Sequence, residues 1–216
     1  LDNERVDLCT ARYGPPTIII GDSHAVNVFN IVAHASREIE EPFIIGVVRG
    51  GCRIHDFDGC HYDELITYFT RFPSGVDKLI YHQSGSYLLR DFSGQVDGEY
   101  LYLPEYQNAE FSVADDNIDK IYAYLKGIKS NETLWLGPFK EIRIDIEREV
   151  ERGGSLAVQH RDDIYSSAVD EVAHRLKPSN VEYKPFDSFI NVSAIPVFVD
   201  NCLVWRDPDH FSNCGE

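Results

Sequence analysis

Ser23 stands in the segment I-I-I-G-D-S-H, just beyond a run of β-branched residues and the pair Gly21-Asp22. A serine at such a junction, with a helix behind it, can turn its hydroxyl toward a substrate. Its own N–H, near the helix N-terminus, can stabilise an oxyanion. Acyl chemistry at a serine also needs a base, and the distant segment W-R-D-P-D-H-F-S-N-C-G offers His210. Asp207 stands three residues before it, a spacing of one turn that can bring a carboxylate to Nδ1 while Nε2 faces the serine. Asp209 is adjacent to His210 and projects elsewhere. Taken singly, each segment has a plainer explanation. Asp22 or Ser23 could simply cap a helix, and His210 could be a surface residue between an acidic turn and a Ser-capped helix. Together they favour a nucleophile and its base.

The elements that must position these residues follow from hydrophobic spacing. Thr17–Ile20 suits a strand buried on both faces. Val26, Phe29, Ile31, Val32 and Ala35 fit a helix from His24 to about Glu38. A second strand is expected at Phe43–Val48, ahead of Gly50-Gly51, then a helix over Tyr62–Phe72 and a third strand at Lys78–Tyr81. The stretch from Asp91 to Asn108 is rich in Gly, Tyr and acids without a period, which predicts a long loop or lid. Asp115 or Asp116 can cap a helix bearing Ile118, Ile121, Tyr122, Leu125 and Ile128. Thr133–Leu136 reads as a fourth strand stopped by Gly137-Pro138. An apolar stripe between Asp162 and Leu176 reads as a helix, followed by a short strand at Val181–Tyr183. Strands alternating with helices imply a parallel sheet with helices on both faces. Ligands bind beyond the carboxyl ends of such strands. The expected rim is therefore Gly21–His24, Gly50–Arg53, His82–Tyr87 and Gly137–Phe139.

No repeat or linker divides the 216 residues, so one domain, residues 1–216, is expected. Twenty basic against 36 acidic residues give a net charge of −16, the wrong sign for coating nucleic acid or an anionic lipid face. No apolar run approaches the ~20 residues of a membrane span, so this segment is not expected to insert directly. Starting at Leu1 with no Met, the chain reads as a processed form or a piece excised from a longer protein. The five cysteines form no CxxC pair, and the histidines show no ligand spacing, so neither a metal nor another cofactor is expected. The short loop between Cys52 and Cys60 could hold a disulfide. Sequons at Asn131 and Asn191 matter only if the source glycosylates. His24 could line the site, or solvate a helix end. Tyr100, Tyr102 and Tyr106 could stack on sugar rings from the long loop or cover core edges, and E-R-E-V-E-R near residue 150 reads as a solvated helix end.

The pairing of G-D-S-H-A with D-x-D-H-x-S-x-x-G resembles the SGNH, or GDSL, hydrolase superfamily. It looks most like the SGNH domains attached to membrane acyltransferases that O-acetylate bacterial cell-surface polysaccharides, and L-W-L-G-P-F is similar to a strand those domains carry. The resemblance implies a three-layer α/β/α sandwich around a central parallel sheet. It implies Ser23 as nucleophile, His210 as general base and acid, and Asp207 as its orienting partner. The oxyanion donors it implies are the N–H groups of Ser23 and of Gly51, with Gly50 the alternative. The family's third oxyanion donor is an Asn after the third strand. This chain has H-Q-S-G-S-Y there, so Ser86 or Tyr87 falls nearest. The implied activity is that of a serine esterase or O-acetyltransferase forming an acyl-enzyme. Its partners are an acylated carbohydrate or acyl donor and, by the same resemblance, a linked membrane acyltransferase domain. The location is extracytoplasmic if so linked and cytoplasmic otherwise. A degenerate SGNH fold that binds glycan without turnover, and a lipase-type ester hydrolase, are the alternatives.

Overall fold

The computed structural model describes residues 3–39, 43–54, 60–70, 72, 75–91, 110–138, 162–176, 180–191, 195, 198–200, 202–207 and 210–215. Five parallel strands form the central sheet: β1 (Thr17–Gly21), β2 (Ile44–Val48), β3 (Val76–His82), β6 (Ser130–Leu136) and β7 (Val181–Lys184). Their order is β2-β1-β3-β6-β7. The chain runs from β1 to one side and then returns to lie on the other side of β1. The order therefore reverses between β1 and β3, and the carboxyl ends of those two strands frame a crevice. β4 (Leu89–Arg90) and β5 (Ser112–Val113) form a small antiparallel pair, as do β8 (Phe198–Val199) and β9 (Cys202–Leu203).

Strand alternation divides the core into two layers. Ile18 and Ile20 of β1, with Leu79, Tyr81 and Trp135, pack on one face. That face is covered by α3 (Tyr62–Phe69), α4 (Asp115–Gly127) and the helix Asp162–Leu176, α5 here, with Val6 of α1 (Asn3–Tyr13) joining them. Ile19, Ile80 and Leu136 point the other way, against Ala25 and Val28 of α2 (Ser23–Ile39) and against Val204, Trp205 and Phe211. The result is the expected three-layer sandwich. Ile18, Ile19 and Ile20 are all fully buried, each contributing about 1.5–3 kcal/mol by removal from water.

The differences from expectation are local. α1 gives little sequence signal, because Val6 is its one fully buried apolar side chain among the described residues. The helix expected over Tyr62–Phe72 ends at Phe69. α4 is capped by Ala114 with no side-chain bond, while Asp115 and Asp116 sit in its first turn, where carboxylates favour the helix dipole. Val26 of α2 lines a cavity rather than the core. The expected loop over 91–108, including Tyr100, Tyr102 and Tyr106, lies outside the described residues apart from Asp91. So do Phe139 and the E-R-E-V-E-R run.

Candidate active site

Gly21 ends β1 where the backbone leaves no room for a side chain. A Cβ there would lie 1.8 Å from the carbonyl oxygen of His82 on β3. The Gly21 carbonyl accepts hydrogen bonds from the Tyr62 hydroxyl at 2.8 Å and from the Arg49 N–H at 3.0 Å. The turn into α2 is thus held from β2 and from α3 at once.

Asp22 is 1% exposed and accepts from two backbone N–H groups at 2.9 Å, His24 through Oδ1 and Ser84 through Oδ2. The first bond is a true N-cap, so the plain capping reading of Asp22 is correct. The second ties the turn ahead of Ser23 to the segment leaving β3. Burial raises the Asp22 pKa above the usual carboxylate value, and His24, these two N–H groups and His210 oppose the rise. Ser23 is then the first residue of α2. Val26, Asn27 and Asn30 follow it at offsets of three, four and seven residues. All four line one cavity of about 630 Å³ with His210 and Arg206. That i, i+4, i+7 spacing of Ser23, Asn27 and Asn30 is the sequence signal that could have placed both asparagines at the site.

His210 comes from a distant segment of the chain that packs on the same face of the sheet as α2. Residues 202–215 fold back on themselves, with Trp205 bridged to Phe211, Arg206 N–H donating to the His210 carbonyl at 3.0 Å and Ser212 N–H donating to Val204 at 2.8 Å. Trp205 is fully buried and anchors this hairpin against the sheet. Gly215 closes it, since a Cβ there would meet the Val204 carbonyl at 2.2 Å. Asp207 and His210 lie at the hairpin's tip, and Asp207 Oδ1 stands 2.8 Å from His210 Nδ1. The three-residue spacing works across a tight reversal. Arg206 Nε donates to Asp207 Oδ2 at 3.0 Å, so both oxygens of the carboxylate have partners. The His24 ring packs 4.8 Å from the His210 ring, centroid to centroid, and 6.2 Å from that of His82. His24 is therefore buried beside His210 instead of solvating a helix end. His82 is fully buried, and burial pushes its pKa down to about 3.

Gly51 occupies the turn after β2, where Cys52 N–H donates to the Arg49 carbonyl at 3.0 Å. Its φ of +71° is the left-handed conformation that favours glycine. Neither Gly51 nor Gly50 lines the cavity that holds Ser23 and His210. Of the two residues singled out after β3, Ser86 is buried with its Oγ 2.9 Å from that of Ser84. The Tyr87 ring lies under the Arg53 guanidinium.

Disulfides flank both halves. Cys52–Cys60 forms, closing the loop beside Gly51. Cys202–Cys214, a pairing not expected from the sequence, closes the hairpin that carries Asp207 and His210. Cys9 is a free thiol.

No family model matches the chain, and the comparison with curated proteins gives no match. Among solved structures, it is similar to the periplasmic domain of a lipopolysaccharide acetyltransferase from Salmonella ser. Paratyphi A. The TM-score is 0.59 at 15% identity, with 98% of this chain and 83% of that one covered. At such low identity the likeness is one of fold.

Proposed function

We propose that the chain is a single SGNH-type catalytic domain, a serine-dependent O-acyl esterase or acyltransferase that moves acetyl groups on a carbohydrate or cell-surface polysaccharide. One observation carries the reading. Ser23 shares a cavity with a histidine whose Nδ1 is held 2.8 Å from a carboxylate. That the similar fold belongs to the periplasmic domain of a lipopolysaccharide acetyltransferase supports the choice of acyl group and acceptor.

In this mechanism His210 Nε2 takes the Ser23 proton as Oγ attacks the acyl carbonyl. Asp207 keeps the proton on Nδ1 and stabilises the imidazolium. The N–H groups of Ser23 and Gly51 donate to the tetrahedral oxyanion. Collapse expels the donor's leaving group, which takes the proton from His210, and leaves an acyl ester on Ser23. His210 then deprotonates water or a sugar hydroxyl, which attacks the ester, and collapse of that adduct expels Ser23 Oγ, which regains the proton from His210. Water gives hydrolysis and a sugar gives transfer. Two disulfides support an oxidising, extracytoplasmic setting, where a linked membrane acyltransferase domain would supply the acyl group.

The test is hydrolysis of a chromogenic acetyl ester, with adduct formation by a serine-directed phosphonate. The wild type should turn over and be labelled, and Ser23→Ala should do neither. Sugar binding with no turnover or labelling in the wild type would instead identify a glycan-binding module.

A further inference from the structure

We propose that Arg53 supplies the third oxyanion donor, in place of the asparagine this chain lacks; the inference rests on the esterase reading above. The sheet order puts β1 between β2 and β3, and strands are spaced so that β2 and β3 lie roughly 9.5 Å apart. Arg53 belongs to the segment leaving β2 and Tyr87 to the segment leaving β3. The Arg53 Cζ nevertheless lies 4.0 Å from the Tyr87 ring centroid. This stack therefore joins the segments that leave the two strands flanking β1, the strand that leads into Asp22 and Ser23.

The competing donors on that side are committed elsewhere. Ser86 Oγ is engaged with Ser84, and Ser84 N–H is held by Asp22. A guanidinium stacked on an aromatic ring keeps its N–H donors in a fixed plane at its edge, with a charge that persists at every working pH. Its position is also braced. Cys52, next to Arg53, is bonded to Cys60, and the Cys60 carbonyl accepts from the Arg49 guanidinium. A donor fixed before the reaction loses nothing to reorganisation when the oxyanion forms. Arg53 donates hydrogen bonds and keeps all its protons; proton transfer stays with His210.

The experiment compares Arg53→Gln and Arg53→Lys with wild type on one chromogenic acetyl ester, with melting temperatures alongside. It adds the affinity of a boronic acid that forms a tetrahedral adduct on Ser23. Arg53→Gln should lose about 10²-fold in kcat, the scale of one lost oxyanion donor, with KM within threefold. Boronate affinity should fall in parallel, and Arg53→Lys should recover part of both. Added guanidinium ion should partly rescue an Arg53→Ala variant, an effect that a purely structural role would not produce. A kcat for Arg53→Gln within threefold of wild type, or a loss in kcat without loss of boronate affinity, overturns the proposal while leaving the esterase reading intact. A wild type with neither ester turnover nor phosphonate labelling overturns both.

Discussion

Removing the Cys202–Cys214 bond by the double substitution Cys202→Ser with Cys214→Ser tests how the base is held. The bond spans 12 residues in sequence. By loop-closure entropy, a ring of that size constrains the unfolded chain by about 3 kcal/mol. For a chain of this length that corresponds to a fall in Tm of about 6–12 °C. The ring contains Asp207 and His210, so part of the loss should appear in catalysis as well as in global stability. If all of it fell on hairpin docking, the docked fraction would drop by up to about 10². Buried Trp205 resists undocking, and the backbone bonds from Arg206 and Ser212 hold the hairpin's own shape. We therefore expect a kcat loss nearer tenfold at 25 °C, steepening on warming, with KM within threefold. Differential scanning calorimetry and ester hydrolysis between 15 and 40 °C measure both. Substituting both cysteines avoids a stray thiol and leaves Cys52–Cys60 in place, which a reductant would not. A double variant with Tm within 2 °C of wild type and an unchanged kcat at every temperature would refute the idea that this bond secures His210.

Asp207→Asn should lower kcat by about 10³–10⁴ with little change in KM, because an amide cannot hold the His210 tautomer that accepts the serine proton; steady-state kinetics on the same ester checks it. His82 makes stability depend on pH. Its native pKa of about 3 lies below the ordinary 6.5, so between those values the unfolded chain binds a proton that the native state does not, and stability falls on acidification. From pH 7 to pH 5 that group contributes a loss of about 2 kcal/mol, so urea unfolding of His82→Gln should show a pH dependence shallower by about that amount. Asp22, whose pKa is raised, acts with the opposite sign and is common to both proteins. Gly21→Ala should destabilise by about 3 kcal/mol or more, since its methyl would meet the His82 carbonyl at 1.8 Å; equilibrium unfolding measures it, and a loss under 1 kcal/mol would contradict the packing described.

The sheet was readable because its strands are short, carry apolar runs and are spaced by helices, as Ile18–Ile20 of β1 and Leu79–Tyr81 of β3 illustrate. The Asp207–His210 contact was readable from a three-residue spacing, although a hairpin realises it. What could not be read depends on contacts between distant segments. Cys202 and Cys214 look unrelated until Trp205 and Phe211 pair and bring the two arms together. Asp22 reads as a cap from sequence, and its second bond to Ser84 appears only when β1 and β3 lie side by side. Arg53 and Tyr87 meet because β1 runs between the strands that deliver them.

Ser23 and His210 belong to opposite ends of the described chain and come to line one cavity only when the Trp205 hairpin seats on the second face of the sheet. A chain whose sheet and first-face helices are complete would still hold an unreactive serine. Phosphonate labelling of Ser23 during refolding should therefore lag behind the far-ultraviolet circular dichroism signal. The lag would time the seating of the final segment, making the nucleophile a clock for the last step of folding.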